Sequence, residues 1–268
     1  MAMVLPMQIT CLSVVFLLGA TQSFPEESEA SALLQLNTEM HENKAHLLLM
    51  THLLTQESKH QTIAAEAAFK QMRVLMRPEE IHFFRQELSK ADAYLEFGVG
   101  GSTAMASTFP NLHCYKGIDS SQEWIEIVSK EETVAKAIEQ GIAELKHVDI
   151  GKIGKLGYPA DNTTFALWPK YSDEGFGKCH AQAKHRMVLL DGRFRVACFL
   201  KLLLAMDQES ASKTSILIHN YDWPEYHVIE EFADLIEIRG RLALLKKKPN
   251  ADQKALKEVA LKFEHEPL

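Results

Sequence analysis

Residues 94–107 read Tyr94-Leu95-Glu96-Phe97-Gly98-Val99-Gly100-Gly101-Ser102-Thr103-Ala104-Met105-Ala106-Ser107. A short, mainly apolar run meets three closely spaced glycines, and a Ser/Thr pair then opens onto a helix-forming stretch. This order predicts a strand, a tight turn and a helix start. Glycine lets the main chain take a positive φ and come close to a ligand, while the first amides of a helix are free donors at the positive end of its dipole. A strand passing directly into a helix at such a bend is the unit from which parallel α/β sheets are built.

A bend of this kind suits a nucleotide-like cofactor, and its details indicate which. A dinucleotide fingerprint places glycine at its first, third and sixth positions; counted from Gly98, the sixth is the branched Thr103. Glu96, two residues ahead of Gly98, would repel a pyrophosphate and attract an ammonium or sulfonium group. An acid followed by Gly-x-Gly at the end of a first strand resembles the first motif of the class I S-adenosylmethionine-dependent methyltransferases. The resemblance implies S-adenosyl-L-methionine as cofactor, with Glu96, Gly98, Gly100, Gly101 and Ser102 beside it.

Further along the chain, 113–119 reads as a second strand ending in Asp119, about 20 residues beyond Gly98, where a strand-end carboxylate can receive the ribose hydroxyls of a bound adenosine. Residues 145–150 read as a third strand, and the resemblance puts Asp149 beside the adenine. The apolar run Met187-Val188-Leu189-Leu190 ends in Asp191-Gly192-Arg193-Phe194-Arg195, and the run 215–218 ends in His219-Asn220-Tyr221. Ligands of doubly wound sheets sit at such carboxyl ends. Residues 235–245 read as a closing hairpin around Arg239-Gly240. From 79 to 249 the order resembles the seven-stranded methyltransferase sheet, whose last strand is antiparallel.

The expected fold is therefore α/β, a doubly wound, seven-stranded, mostly parallel sheet with a helical N-terminal extension. The expected boundaries are a signal peptide or uncleaved anchor at 1–23, the helical extension at 24–77, the methyltransferase-like domain at 78–250 and a helical tail at 251–268. Residues 26–77 contain neither glycine nor proline, which favours helix. His41, His46, His52 and His60 within it lack the spacing that puts two ligands on one helical turn. Residues 151–185 break the pattern and are expected to form a substrate-facing insertion.

A formal charge of −7 provides no broad footprint for nucleic acid. The first 20 residues carry no charge and include the apolar stretch 11–20, which reads as a secretory signal. After its removal Cys114, Cys179 and Cys198 remain, too few for a disulfide framework, although a Cys114–Cys179 bridge can form in an oxidising compartment. Asn162-Thr163-Thr164 fits the N-glycosylation pattern, so a secreted glycoprotein is expected. Cys179, His180 and His185 lack further ligands at suitable spacing.

These residues predict a methyltransferase of the secretory pathway that O-methylates a glycan or small hydroxylated metabolite. Asp191 or His219 would take the acceptor proton, and Arg193, Arg195, Tyr221 and Tyr226 would orient an anionic or sugar-like substrate. Metal-dependent O-methyltransferases resemble this layout with acids after both the fourth and fifth strands; Asp191 with Asn220 supplies one, so no metal is expected. No nucleic-acid partner is expected, membrane association only if the first segment is retained, and a homodimer through the N-terminal helices is an option. The alternatives are an NAD-dependent oxidoreductase or epimerase, and a non-catalytic binding protein on the same fold.

Overall fold

The computed structural model describes residues 72–268. The signal segment, residues 24–71 of the extension and its four histidines lie outside the described residues. Strands β1 (Ala93–Phe97), β2 (Cys114–Asp119), β3 (Ala143–His147), β4 (Arg186–Leu190), β5 (Thr214–Ile218), β6 (Ala233–Arg239) and β7 (Leu242–Lys247) form one sheet in the order β3-β2-β1-β4-β5-β7-β6. The first five are parallel, and β7 is inserted antiparallel between β5 and β6. This is the expected doubly wound sheet. The strand order reverses between β1 and β4, so the carboxyl ends of those two parallel strands, Phe97 and Leu190, flank the crevice where such sheets hold ligands.

Side-chain alternation along the strands assigns each residue to a face. Leu95, Phe97, Val188, Leu190, Ile216, Ile218, Ala243 and Leu245 join the layer made with helices α6 (Arg195–Ala205) and α8 (Gln253–Phe263). Tyr94, Met187, Leu189, Leu217, Leu242 and Leu244 face the other way, with Phe83, Phe84 and Leu88 of α1 (Pro78–Leu88) and Ala106 of α2 (Gly101–Ala106). Both faces are covered, which is why β1, β4 and β5 read as continuous apolar runs. Each fully buried aliphatic side chain contributes about 1.5–3 kcal/mol.

Two elements differ from expectation. β3 spans Ala143–His147, not 145–150, because Val148 and Ile150 leave the sheet to pack in the core layer below it. The stretch after Tyr221, where Pro224-Glu225-Tyr226 leads to an expected helix ending at Asp234, forms 3-10 turns over Pro224–Glu231, begun by a proline that presets the first φ. Residues 151–185 contain short turns and α5 (Pro169–Ser172), with Trp168 and Tyr171 buried in the core. A Cys114–Cys179 disulfide ties this insertion to β2. Cys198 is buried and free, and burial pushes its thiol pKa up.

Candidate functional site

The three glycines of the first bend serve three different purposes. Gly98 has φ +91° and lies so close to Gly192 that a Cβ would sit 2.6 Å from the Gly192 nitrogen. The ends of β1 and β4 can touch only because both residues lack a side chain. At Gly101 a Cβ would stand 2.3 Å from the carbonyl of Arg73, so the main chain leading into α1 packs on the start of α2. Gly100 has neither reason. Its φ of 164° is extended, and the nearest described atoms to a Cβ are those of the Trp124 ring at 3.8 Å, an ordinary contact. Among the described residues nothing in the protein demands glycine there, and the position has room for close approach.

Asp119 joins this bend to the end of β2. Its Oδ2 accepts the Val99 N–H at 3.1 Å and its Oδ1 the Ser121 N–H at 2.9 Å. Burial raises its pKa, opposed by those amides and by Arg193. Each carboxylate oxygen can accept a second bond, so a diol beside Gly100 would meet a carboxylate already held in place. Trp124, which sequence reasoning missed, donates its indole N–H to the Val99 carbonyl at 2.6 Å and forms a wall of the bend. Its only signal was a large aromatic in the first turn of α3 (Gln122–Ser129).

Glu96 requires a correction. It does not face the bend: it is fully buried on the α2 side of the sheet. Ser102 and Tyr94 donate to its Oε2 at 2.8 and 3.0 Å, and the Thr103 and Tyr115 hydroxyls donate to its Oε1. The reason is strand parity. Phe97 lies on the α6 face, so its neighbour Glu96 lies on the opposite one, beneath the first turn of α2. Burial raises the Glu96 pKa to about 7, and the four hydroxyls only partly offset it. Ser102, also assigned to the cofactor, points the same way.

At the ends of β4 and β5 the structure gathers Asp191, His219 and Arg195 with Glu80 of α1. His219 contacts Asp191 through Nδ1 at 3.0 Å and Glu80 through Nε2 at 3.3 Å. Both ring nitrogens are engaged, which leaves neither to take a proton from an acceptor and corrects the assignment of His219 as a base. Glu80 also accepts the amides of Arg77 and Arg241, each at 2.7 Å. Burial pushes its pKa up, but these bonds and His219 outweigh burial and lower it. The Asp191 pKa is lowered in the same way, with His219 and Arg195 outweighing burial.

Arg195 is likewise redirected from substrate to scaffold. It bonds the carbonyls of Gly192, Asp191 and His219 at 3.0, 2.9 and 2.5 Å, the Asn220 side chain at 3.1 Å and the Asp191 carboxylate at 3.0 Å. Asn220 has φ +59°, a conformation that Asn tolerates well. The Tyr221 hydroxyl donates to Glu230 at 2.7 Å, so its proton is already spent. Asp149 is exposed and accepts the Gly151 amide at 2.8 Å, which is a turn role.

Two residues of the predicted substrate set remain open. Arg193 is 8% exposed and stacks over Tyr158 at 4.1 Å, with no partner for its Nε. Tyr226 is buried with an unpartnered hydroxyl, its ring 5.8 Å from the Arg195 guanidinium. The one convergent group of metal-ligating atoms among the described residues is Cys114, Cys179 and His180, whose sulfurs are joined to each other.

No family model matches the chain, and neither does any curated protein. Solved structures do. A methyltransferase-like protein from Silicibacter pomeroyi aligns over 74% of this chain and 100% of its own, at 26% identity and a TM-score of 0.61. That overlay, on a sheet with β7 inserted antiparallel beside β5, decides the family. The chain belongs to the class I S-adenosylmethionine-dependent methyltransferase superfamily. More distant is an O-methyltransferase from Bacillus cereus in complex with SAH, at 12% identity and a TM-score of 0.38 over 71% of this chain and 90% of that one. For this superfamily member, substrate and chemistry rest on its own residues.

Proposed function

We propose that the protein is an S-adenosylmethionine-dependent methyltransferase that O-methylates a glycan or a small hydroxylated metabolite in the secretory pathway. The observation that carries this reading is Gly100, a glycine required neither by its backbone conformation nor by its described neighbours, beside a carboxylate at the end of β2. In this reading Gly98, Gly100, Asp119 and Trp124 hold the cofactor, and Asp149 borders it. The bound cofactor would supply an electrophilic methyl carbon. The chain's main task is then to orient the acceptor, an effect that can reach about 7–11 kcal/mol. Asp191, with 28% of its side chain exposed, is the carboxylate of the β4–β5 edge that reaches outward, and Glu80 and His219 fix its position. Because the Asp191 pKa is lowered, it suits hydrogen bonding to an acceptor hydroxyl better than full proton removal.

The disulfide and the exposed Asn162 support an oxidising compartment and glycan attachment. Secreted material should show a mass loss on treatment with an N-glycosidase, and an unchanged mass contradicts attachment. The cofactor assignment is tested by mass spectrometry of whatever small molecule co-purifies. S-adenosylmethionine or its demethylated product is expected; a nicotinamide dinucleotide would replace this reading with the oxidoreductase one. Against the dinucleotide stands Thr103, whose hydroxyl donates to Glu96 and accepts the Gly100 amide at 2.7 Å. A glycine at that position would leave both bonds unmade. A second reading, a non-catalytic binding protein, draws on the Arg73 main chain lying against Gly101. It expects no cofactor at all.

A further inference from the structure

Strand β6 ends the sheet: β7 pairs it on one side, and among the described residues no strand pairs it on the other. No main-chain group of residues 234–239 bonds a described residue outside the sheet. An open edge of this kind is a template for a further strand, and proteins usually blunt it with proline, short length or charge. β6 is seven residues long, has no proline, and leaves Leu235, Ile236 and Ile238 exposed at 40%, 52% and 45%. Residues paired across a sheet share a face. Leu235 and Ile238 pair with Leu245 and Ala243, on the α6 face, whereas Asp234, Glu237 and Arg239 pair with Lys246, Leu244 and Leu242, on the α1 face. The bulge at Ile236 makes this order of faces read the same from either end of 234–239.

We propose that β6 pairs antiparallel with β6 of a second copy of this chain, so that two sheets join about a two-fold axis between Ile236 and Glu237. In that register Leu235 meets Ile238 of the second copy on the α6 face, and Asp234 meets its Arg239 on the α1 face. The two-fold axis makes each contact occur twice. Both strands carry the same extra residue, so they stay in step across the axis. A shift of one residue either way sets side chains of opposite faces against each other. A shift of two sets Asp234 against Glu237 in one direction and Glu237 against Ile238, on opposite faces, in the other. Charge and face therefore select one register. Arg239 bonds Glu237 of its own strand at 2.7 Å, so Asp234 of the second copy would join an existing ion pair at the surface. This inference does not depend on the methyl-transfer reading.

Sedimentation equilibrium of the full chain should show a dimer that dissociates on dilution. Asp234→Arg alone places arginine opposite arginine, and Arg239→Asp alone places aspartate opposite aspartate. Each should weaken the dimer roughly tenfold, because two cross-strand pairs turn from attraction to repulsion. Both positions are exposed, so circular dichroism should match the parent's. An equimolar mixture of the two variants should dimerise again, since every facing pair is then one arginine and one aspartate. Leu235→Lys with Ile238→Lys should leave a folded monomer that no mixing rescues. A parent chain that stays monomeric at every concentration overturns the proposal. A dimer that none of these variants disturbs places the contact elsewhere and overturns the edge, and a mixture that fails to re-form it overturns the register.

Discussion

Glu96 and Glu80 are both fully buried carboxylates near the carboxyl edge of one sheet, and the protein treats them in opposite ways. Glu96 is surrounded by neutral hydroxyls from Tyr94, Ser102, Thr103 and Tyr115, and burial raises its pKa to about 7. Glu80 receives two main-chain amides and His219, and these hold its pKa below the ordinary value despite burial. Burial alone does not decide the charge of a carboxylate; the charge and number of its partners do. The β1 side of the crevice is therefore built around an acid that can accept a proton near neutral pH. The β4–β5 side is an ionic lattice in which Arg195 and His219 bind the carboxylates of Asp191 and Glu80.

The contrast is broken most severely at Arg195. Arg195→Ala removes five contacts and leaves the Asp191 carboxylate without its cation, so a loss of about 3–5 kcal/mol is expected in denaturant unfolding. A loss below about 1 kcal/mol would show that the lattice is not structural. Glu80→Gln keeps the shape and removes a charge that three donors share, and should cost roughly 1.5–3 kcal/mol by the same measurement.

Glu96 sharpens the comparison through pH. Its folded pKa of about 7 stands above the ordinary carboxylate value of 4.5, so between those values the native state holds a proton that the unfolded chain has released. Its contribution to stability therefore falls as pH rises through that window. Glu96→Gln should flatten this part of the stability profile, and a profile identical to the parent's would contradict the assignment. Glu80 and Asp191 act in the opposite sense, because their pKa values are lowered. Their contribution is present above the unfolded values and is lost as pH falls through the folded ones. The smallest effect is expected at Arg193, two residues from Arg195 in the same turn. Arg193→Gln breaks one long hydrogen bond and the stacking on Tyr158, and should cost about 1 kcal/mol.

That pair of arginines shows where the sequence stops being informative. Arg193 and Arg195 are equivalent in Asp191-Gly192-Arg193-Phe194-Arg195 until Phe194 turns into the left-handed region at φ +55° and sends one toward Pro267 and the other into the lattice. Glu80 escaped notice because it lies 139 residues from His219 and no local pattern joins them. The sheet was readable because β1, β4 and β5 are buried on both faces and their apolar runs end at Gly or Asp. Glu96 stands just ahead of the bend in sequence, but strand alternation turns it under α2, so position along the chain alone does not fix the direction it faces. Glycine spacing located the bend, but only the folded structure separates the glycines held by Gly192 and Arg73 from the one with no close neighbour among the described residues.

The account depends on what approaches Gly100. S-adenosylhomocysteine titrated calorimetrically into the purified full chain should bind with one site per protein. It should fail to bind Gly100→Arg, whose circular dichroism and unfolding curve should match the parent's because the Cβ position is free of close contact. No binding to the parent chain, or equal binding to a folded Gly100→Arg, would contradict the claim.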